Sequence, residues 1–321
     1  MGYRRLGKIK KMSKIKAYFK KFKKGDYVGL IWVLPALLLI CVFALYPAVS
    51  ALIHSFTYWP MANESSSALQ TTFVGFDNFK RLFSDKIFFK SSLNLIILIS
   101  TGLVLGNVSS LFLAEMLHKL RNKRLASIFR FLFVLPMLVP GIVNMLIWTE
   151  IIFKGTDTGF ANMILMKVLK VKTVQGFYYQ ENMALFSMII TGFPWMSGTS
   201  FLIYLAGLNN ISTDVYEALD LDGCSSFKRI FYIDIPLIRS QIKYFVMMGI
   251  IGGMQSFSMQ LVVTSGGPNN ATNVPGYYMY QKAFFSGEWG YACAIGFSLF
   301  VVTLTLSIIN NKFMKTTEEV M

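Results

Sequence analysis

Residues 28–53 read VGLIWVLPALLLICVFALYPAVSALI and carry no charged side chain. About 20 consecutive apolar residues suffice for a helix to cross the hydrocarbon of a bilayer, so this stretch is read as a membrane span. What precedes it is as informative. Of the 31 Lys and Arg in the chain, 11 fall within residues 1–27, against one acid, Asp26. A basic run can bind nucleic acid. One that abuts an apolar span is better read as a topogenic tail, held in the cytoplasm by the positive-inside rule. The apolar stretch is too long for a cleaved signal peptide, and no small-residue cleavage site follows it.

Composition supports the same reading. The 321 residues are 54% hydrophobic, 15% aromatic and 15% charged, where a soluble domain carries roughly 25% charged residues. Mean hydropathy is +0.52. These values argue against a soluble enzyme and against a disordered chain. The cysteines, Cys41, Cys224 and Cys293, are too scattered for a disulfide framework. With only two histidines, His54 and His118, the composition argues against a His-rich metal site.

Working outward from the first span, apolar runs predict six, at 28–53, 91–114, 128–152, 183–207, 241–264 and 289–310. Lipid offers no partners to the backbone, so each should be helical. The expected fold is an all-α membrane protein with six transmembrane helices, in a domain over 28–310 flanked by tails at 1–27 and 311–321. Gly102 and Gly106 form a G-x-x-x-G that lets a neighbouring helix approach. With the first tail inside, the basic segment 118–124 falls in the cytoplasm with Lys119, Arg121, Lys123 and Arg124. So do residues 208–240 and the last tail, with Lys312 and Lys315, which puts both termini in the cytoplasm. Segments 54–90, 153–182 and 265–288 then lie outside. In the first of these, Phe73, Phe76, Phe79 and Phe83 are spaced as on a short amphipathic surface helix.

Residues 208–240, LNNISTDVYEALDLDGCSSFKRIFYIDIPLIRS, are far longer than the 2–8 residues that usually link two helices. Breaks at Gly223 and Pro236 predict two small helices joined by a turn, with Thr213 or Asp214 as N-cap. Tyr216, Phe227, Phe231 and Tyr232 suit a docking surface, and Glu217 can meet a partner's Arg.

This segment resembles the EAA loop of bacterial ABC importer permeases, whose pattern is E-A-A, then D-G, then I-x-L-P. The matching residues are Glu217, Ala218, Asp222, Gly223, Ile233 and Pro236, with Tyr216 beside them. Leu219 stands for the third motif residue, Cys224 for the usual Ala and Ile235 for the Leu, and Asp234 adds a charge. VGFDNFKRLFSD, RFLFVLPMLVPGIV and TSGGPNNAT extend the resemblance over about residues 28–310. They point to the sugar-type subfamily that includes the larger maltose permease subunit and glycerol-3-phosphate permeases. The resemblance implies a type I ABC importer permease fold in the bacterial cell membrane. It also implies a second homologous permease subunit, an ATPase dimer seated on the EAA loop, and an external binding protein that delivers a saccharide.

No G-x-x-x-x-G-K-[ST] occurs, so the chain has no P-loop for ATP phosphates. The expectation is a subunit that is not itself an enzyme and holds no cofactor, with ATP and Mg on the partner ATPase. Polar groups inside spans usually face a cavity or a neighbouring helix. Asn144, Gln255 and Ser256 are such groups, and helix–helix hydrogen bonding is the alternative for each. Gly249 and Gly253 are read as packing residues. Similarity to the maltose permease subunit carries its sugar-contacting positions onto Met137, Gly141, Gly192, Trp195, Met196, Thr199, Gly252, Gly253 and Ser256. Trp195 is the foremost of these, because an indole face stacks on a sugar ring. No basic group is read inside spans three to five, which favours a neutral saccharide over glycerol-3-phosphate or another small polar solute. An ion channel or a membrane-embedded enzyme is disfavoured, since neither a filter-like repeat nor paired catalytic groups are found.

Overall fold

The computed structural model describes residues 24–60 and 71–313. The first tail up to residue 23 and the last from 314 fall outside them. Helix α1 runs from Lys24–Ile40 through one π turn at Cys41–Leu45 into Tyr46–His54. Pro47 explains the turn. It has no N–H to give and its ring crowds the carbonyl four residues back, so the ladder slips by one residue just before it. This span forms a unit of its own, up to Ile53, and residues from His54 onward form the other.

In the second unit, Thr57–Tyr58 pairs antiparallel with Thr72–Phe73. Helices α2 (Asp77–Ser84) and α3 (Lys86–His118) follow. Phe73 is therefore a strand residue, and Phe76 is the N-cap of α2, leaving only Phe79 and Phe83 on the expected surface helix. Helix α2 buries Leu82 against Tyr278, Tyr291 and Ile295. At about 1.5 Å per residue, the 33 residues of α3 run about 50 Å. Asp85 caps its start, accepting from the amides of Ile87 and Phe88 at 2.9 and 3.2 Å.

The third predicted span is bent. Helix α4 (Lys123–Val134) and a 3-10 turn Leu135–Leu138 meet α5 (Gly141–Ile147, continued by a π turn Trp148–Ile152) at 91°. Pro140 pushes Val139 out of the helical region, to ψ 124°. The predicted span 183–207 is not one helix. After the short helix α6 (Phe160–Lys167) come α7 (Glu181–Ile190) and α8 (Gly198–Asn209), with an irregular segment between. Pro194 lacks a donor, and Gly192 and Trp195 have φ of +88° and +57°.

The loop helices are α9 (Thr213–Leu221) and α10 (Ser226–Arg229), the second extended by a π turn Ile230–Asp234. The last elements are α11 (Arg239–Gln255), which resumes after a break at Ser256 and ends at Thr264, then α12 (Pro275–Phe284) and α13 (Trp289–Phe313). Among the described residues, four helices are long and apolar enough to cross a membrane, or five if the bent pair is one span. The fold is thus mainly helical and built of apolar spans, and the fourth expected span is present only as two short pieces.

Helix α3 is the central strut. Its far half packs on α8, burying Ala114, Leu117, Phe201, Tyr204, Leu205 and Leu208 with Ile238. Its first half packs on α11 through the predicted packing glycines. A Cβ at Gly253 would lie 2.8 Å from Ile99 Cγ1, and one at Gly249 would overlap Leu103. At Gly102, in contrast, a Cβ would meet nothing within 4 Å, and at Gly106 only the Trp195 carbonyl at 3.7 Å. The close approach expected at Gly102 therefore occurs one helix away.

Candidate functional site

The loop 208–240 is an ordered structure with two faces. Ser212 is the N-cap of α9, its Oγ accepting from the Asp214 amide at 3.3 Å; Thr213 and Asp214 are its first helical residues rather than caps. Helix α9 ends at Leu221 with Asp222 as its C-cap, and Gly223 follows at φ +65°, where a left-handed turn suits a residue without Cβ. Ser225 caps α10 through its Oγ and the Lys228 amide. Glu217, Ala218, Asp222, Gly223 and Pro236 are exposed, while Tyr216 and Ile233 are half-buried. The outer face also presents Leu221, Phe227, Phe231 and Tyr232, with the Phe227 and Phe231 rings 4.8 Å apart.

The inner face turns on Asp234, which has no exposed surface. Its Oδ1 accepts from the Tyr216 hydroxyl at 3.1 Å, and its Oδ2 pairs with Arg229 Nε at 3.1 Å. The Arg229 guanidinium lies 4.5 Å over the Tyr216 ring. Burial, and the negative charge of Asp234 beside it, push the Tyr216 hydroxyl well above its ordinary pKa. The end of α3 borders this cluster. The His118 ring is 5.5 Å from that of Tyr216, and Nδ1 of His118 is bonded to Asn209 Oδ1 at 2.8 Å. In the sequence Asp234 is only an added charge; Arg229, five residues earlier, shares its helical stretch, and the Tyr216 contact, 18 residues away, comes from the fold.

Nearer the middle of α3 lies a cavity of about 490 Å³ between α3, α8 and α11. Gly102, Gly106, Asn107, Ser197, Ser200 and Ser256 contribute to its wall, as do Gly253 and Gln260. Ser256 and Gly253 are thus expected path residues that do line it. Trp195, Met196, Thr199, Gln255 and Asn144 do not. Thr199, Gln255, Asn144, Met137, Gly141 and Gly252 are exposed, and Gly192, Trp195 and Met196 are half-buried. The Trp195 indole N–H donates to the Ile189 carbonyl at 2.6 Å, clamping the irregular segment before α8. Ser110 ties that segment to α3, accepting from the Ser197 amide at 3.2 Å and from Ser200 Oγ at 2.9 Å. The missed wall residues Asn107, Ser197 and Ser200 had a signal: small polar residues recurring within apolar runs.

One expectation is corrected here. Lys243 is a buried basic residue within the fifth predicted span. Its Nζ donates to the Asn311 carbonyl at 3.1 Å, near the end of α13, where cations are favoured by the helix dipole. It is not part of the cavity wall.

At the opposite end of α3, Asp85 receives the hydroxyls of Tyr278 and Tyr291 at 2.6 and 2.7 Å. Burial alone would raise its pKa; these two donors and the two cap amides hold it below the usual carboxylate range. Arg81 and Lys282 converge on Glu288 at 2.8 and 3.2 Å, and Lys90 pairs with Glu181 at 3.1 Å. Among the described residues no group of three or more His, Cys, Asp or Glu is placed to hold a metal ion.

Apolar spans flank an open cavity, and an ordered loop with an exposed acidic and aromatic face lies at one end, an arrangement that suits a membrane transport component. The sequence model of the binding-protein-dependent transport system inner membrane components matches residues 106–317, and the chain belongs to that family. It is 32% identical over 288 residues to the arabinooligosaccharides transport system permease protein AraP of Bacillus subtilis (strain 168), covering 87% of this chain and 85% of that one. Identity to the multiple sugar-binding transport system permease protein MsmF of Streptococcus mutans serotype c is 26%, covering 91% and 96%. The fold is similar to a chain of a bacterial alginate ABC transporter crystallised with an alginate pentasaccharide-bound periplasmic protein. There the TM-score is 0.76 at 19% identity, over 91% of this chain and 97% of that one. The chain is therefore a multi-pass inner-membrane permease component with the fold of an ABC importer permease.

Proposed function

We propose that the chain is one of two permease subunits of an ATP-driven importer, forming with a homologous partner the path for a saccharide delivered by an external binding protein. The observation that carries this reading is the loop 208–240: Glu217, Ala218 and Asp222 face outward while Tyr216 is anchored inward. An exposed acidic and aromatic face on a rigid support is what an ATPase subunit needs to push against. Family membership and the sugar transport named for AraP and MsmF support the rest. In this reading the loop and both termini are cytoplasmic. ATP and Mg bind only the ATPase dimer. The substrate passes the cavity beside Ser256, with Asn144, Trp195, Met196, Thr199 and Gln255 contributing where the second permease subunit closes the path.

The test is purification of the tagged chain from its native membrane, with cysteines at Glu217 and Asp222 for cross-linking. An ATPase should be captured at both positions, a second permease should co-purify, and oligosaccharide uptake should fall in cells lacking the chain. Capture of neither subunit, or loss of glycerol-3-phosphate uptake in place of oligosaccharide uptake, would overturn the reading.

A further inference from the structure

Asp234 joins two limbs that are separate in sequence. It ends the π turn that extends α10, where Arg229, five residues earlier on the same helical stretch, pairs with it, and through Tyr216 it holds α9, the limb with the outward-facing Glu217, on the other side of the Gly223 turn. The aspartate itself sits at the entry to Ile235–Leu237 and α11, so its backbone belongs to the chain that enters the membrane. A single carboxylate thus closes the loop on itself, at a position with no exposed surface where both partners are needed to compensate its burial.

The closed loop abuts α3. Glu115, buried in the last turns of α3, interacts electrostatically with Asp234 and Arg229 and pairs with Lys119 at 3.8 Å. His118 contacts the Tyr216 ring. The same helix supplies Leu98, Gly102, Gly106 and Asn107 to the cavity wall. A rigid helix in contact with the loop at one end and with the cavity along its length can carry a displacement from one to the other.

We propose that Asp234 is a positioning residue for energy coupling: it fastens α9 and α10 into one body that bears on the end of α3, so that loop movement reaches the cavity wall. The inference rests on the role of residues 208–240 given above. Asp234 touches neither nucleotide nor substrate. It acts through Tyr216 and Arg229.

The experiment compares the purified complex of this chain with its co-purifying subunits, reconstituted in vesicles, for wild type, Asp234→Ala, Tyr216→Phe and the double variant. Substrate moved and ATP hydrolysed are measured together. Asp234→Ala and Tyr216→Phe are each expected to leave the amount of bound ATPase unchanged while lowering substrate moved per ATP about three- to tenfold. The double variant should be no worse than Asp234→Ala alone, because the Tyr216 hydroxyl has already lost its acceptor there. Unchanged ratios overturn the proposal, as do losses that multiply in the double variant. Failure of Asp234→Ala to reach the membrane, with Tyr216→Phe behaving as wild type, also overturns it by making Asp234 a folding residue alone. A wild-type chain that binds no ATPase removes the underlying role of the loop as well, which distinguishes the two failures.

Discussion

Gly223 allows the loop to be tested by backbone geometry alone. Its φ is +65°, and a Cβ built there would meet nothing within 4 Å. A Cβ there therefore adds no steric clash with the described residues, and for alanine the penalty is conformational. A non-glycine residue in the left-handed region costs about 1–2 kcal/mol, with Asn among the least affected because its side chain bonds locally. A penalty of one to two kcal/mol shifts a two-state population by a factor of about 5–30. For Gly223→Ala, the α9–α10 turn should be correctly formed in a correspondingly smaller share of molecules. Gly223→Asn should retain most of it, and Gly223→Leu should resemble Ala rather than exceed it greatly. In reconstituted vesicles, substrate transport per ATP hydrolysed should rank Gly, then Asn, then Ala with Leu, while insertion stays constant. Equal ratios for Asn and Ala, or a normal ratio for Leu, would refute the conformational account. A gradient that follows side-chain size would mean that the turn is pressed against a partner surface.

Trp195→Phe keeps the aromatic face but leaves the Ile189 carbonyl without its donor. Transport by both Trp195→Phe and Trp195→Ala should fall with ATPase binding unchanged, and an unaffected Trp195→Ala, Gln255→Ala double variant would place the path elsewhere. Gly249→Ala pushes α11 off α3 against Leu103, and overpacking of this kind costs about 1–3 kcal/mol. Leu103→Ala should restore much of the loss in thermal unfolding of the solubilised protein; no restoration would disprove the contact. Asp85 has a folded-state pKa below its ordinary value, so its contribution is present above the ordinary carboxylate range and is lost as pH falls through the lowered value. Asp85→Asn should therefore lower the unfolding midpoint at pH 7 and lose that difference in strong acid, whereas a difference that persists there would contradict the assignment.

Hydropathy makes the continuous spans legible because a lipid-facing helix must be apolar along its length, as α1, α3 and α13 are. It says little about direction. RFLFVLPMLVPGIV reads as one apolar run, yet Pro136 and Pro140 lie at the junction that turns α4 into α5 by 91°. The run at 183–207 is apolar on both sides of Trp195, and only Pro194 and Gly198 mark in the sequence the irregularity that separates α7 from α8. For the loop, the position of the turn follows from the local rule for glycine, whereas the cap falls on Ser212 rather than Thr213 or Asp214 and Tyr216 turns inward. Asp234 is different. A carboxylate between two isoleucines gives no hint of a tyrosine in another helix, and that bond is fixed only when α9 folds back over α10. The cavity is equally hidden in sequence. Gly102 and Gly249 look alike on paper, and only the pairing of α3 with α11 decides which one is covered.

The bond from Lys243 to the Asn311 carbonyl sets a boundary for anyone shortening or extending this chain. Cutting before residue 311 strands an ammonium in a buried place with its acceptor removed, and Asn310, whose side-chain amide reaches back to the Lys243 carbonyl at 3.4 Å, would lose its setting as well. Cutting or fusing after Phe313 leaves both contacts whole. The limit that these two contacts set on shortening thus lies in the last turn of α13, and the apolar profile gives no sign of it.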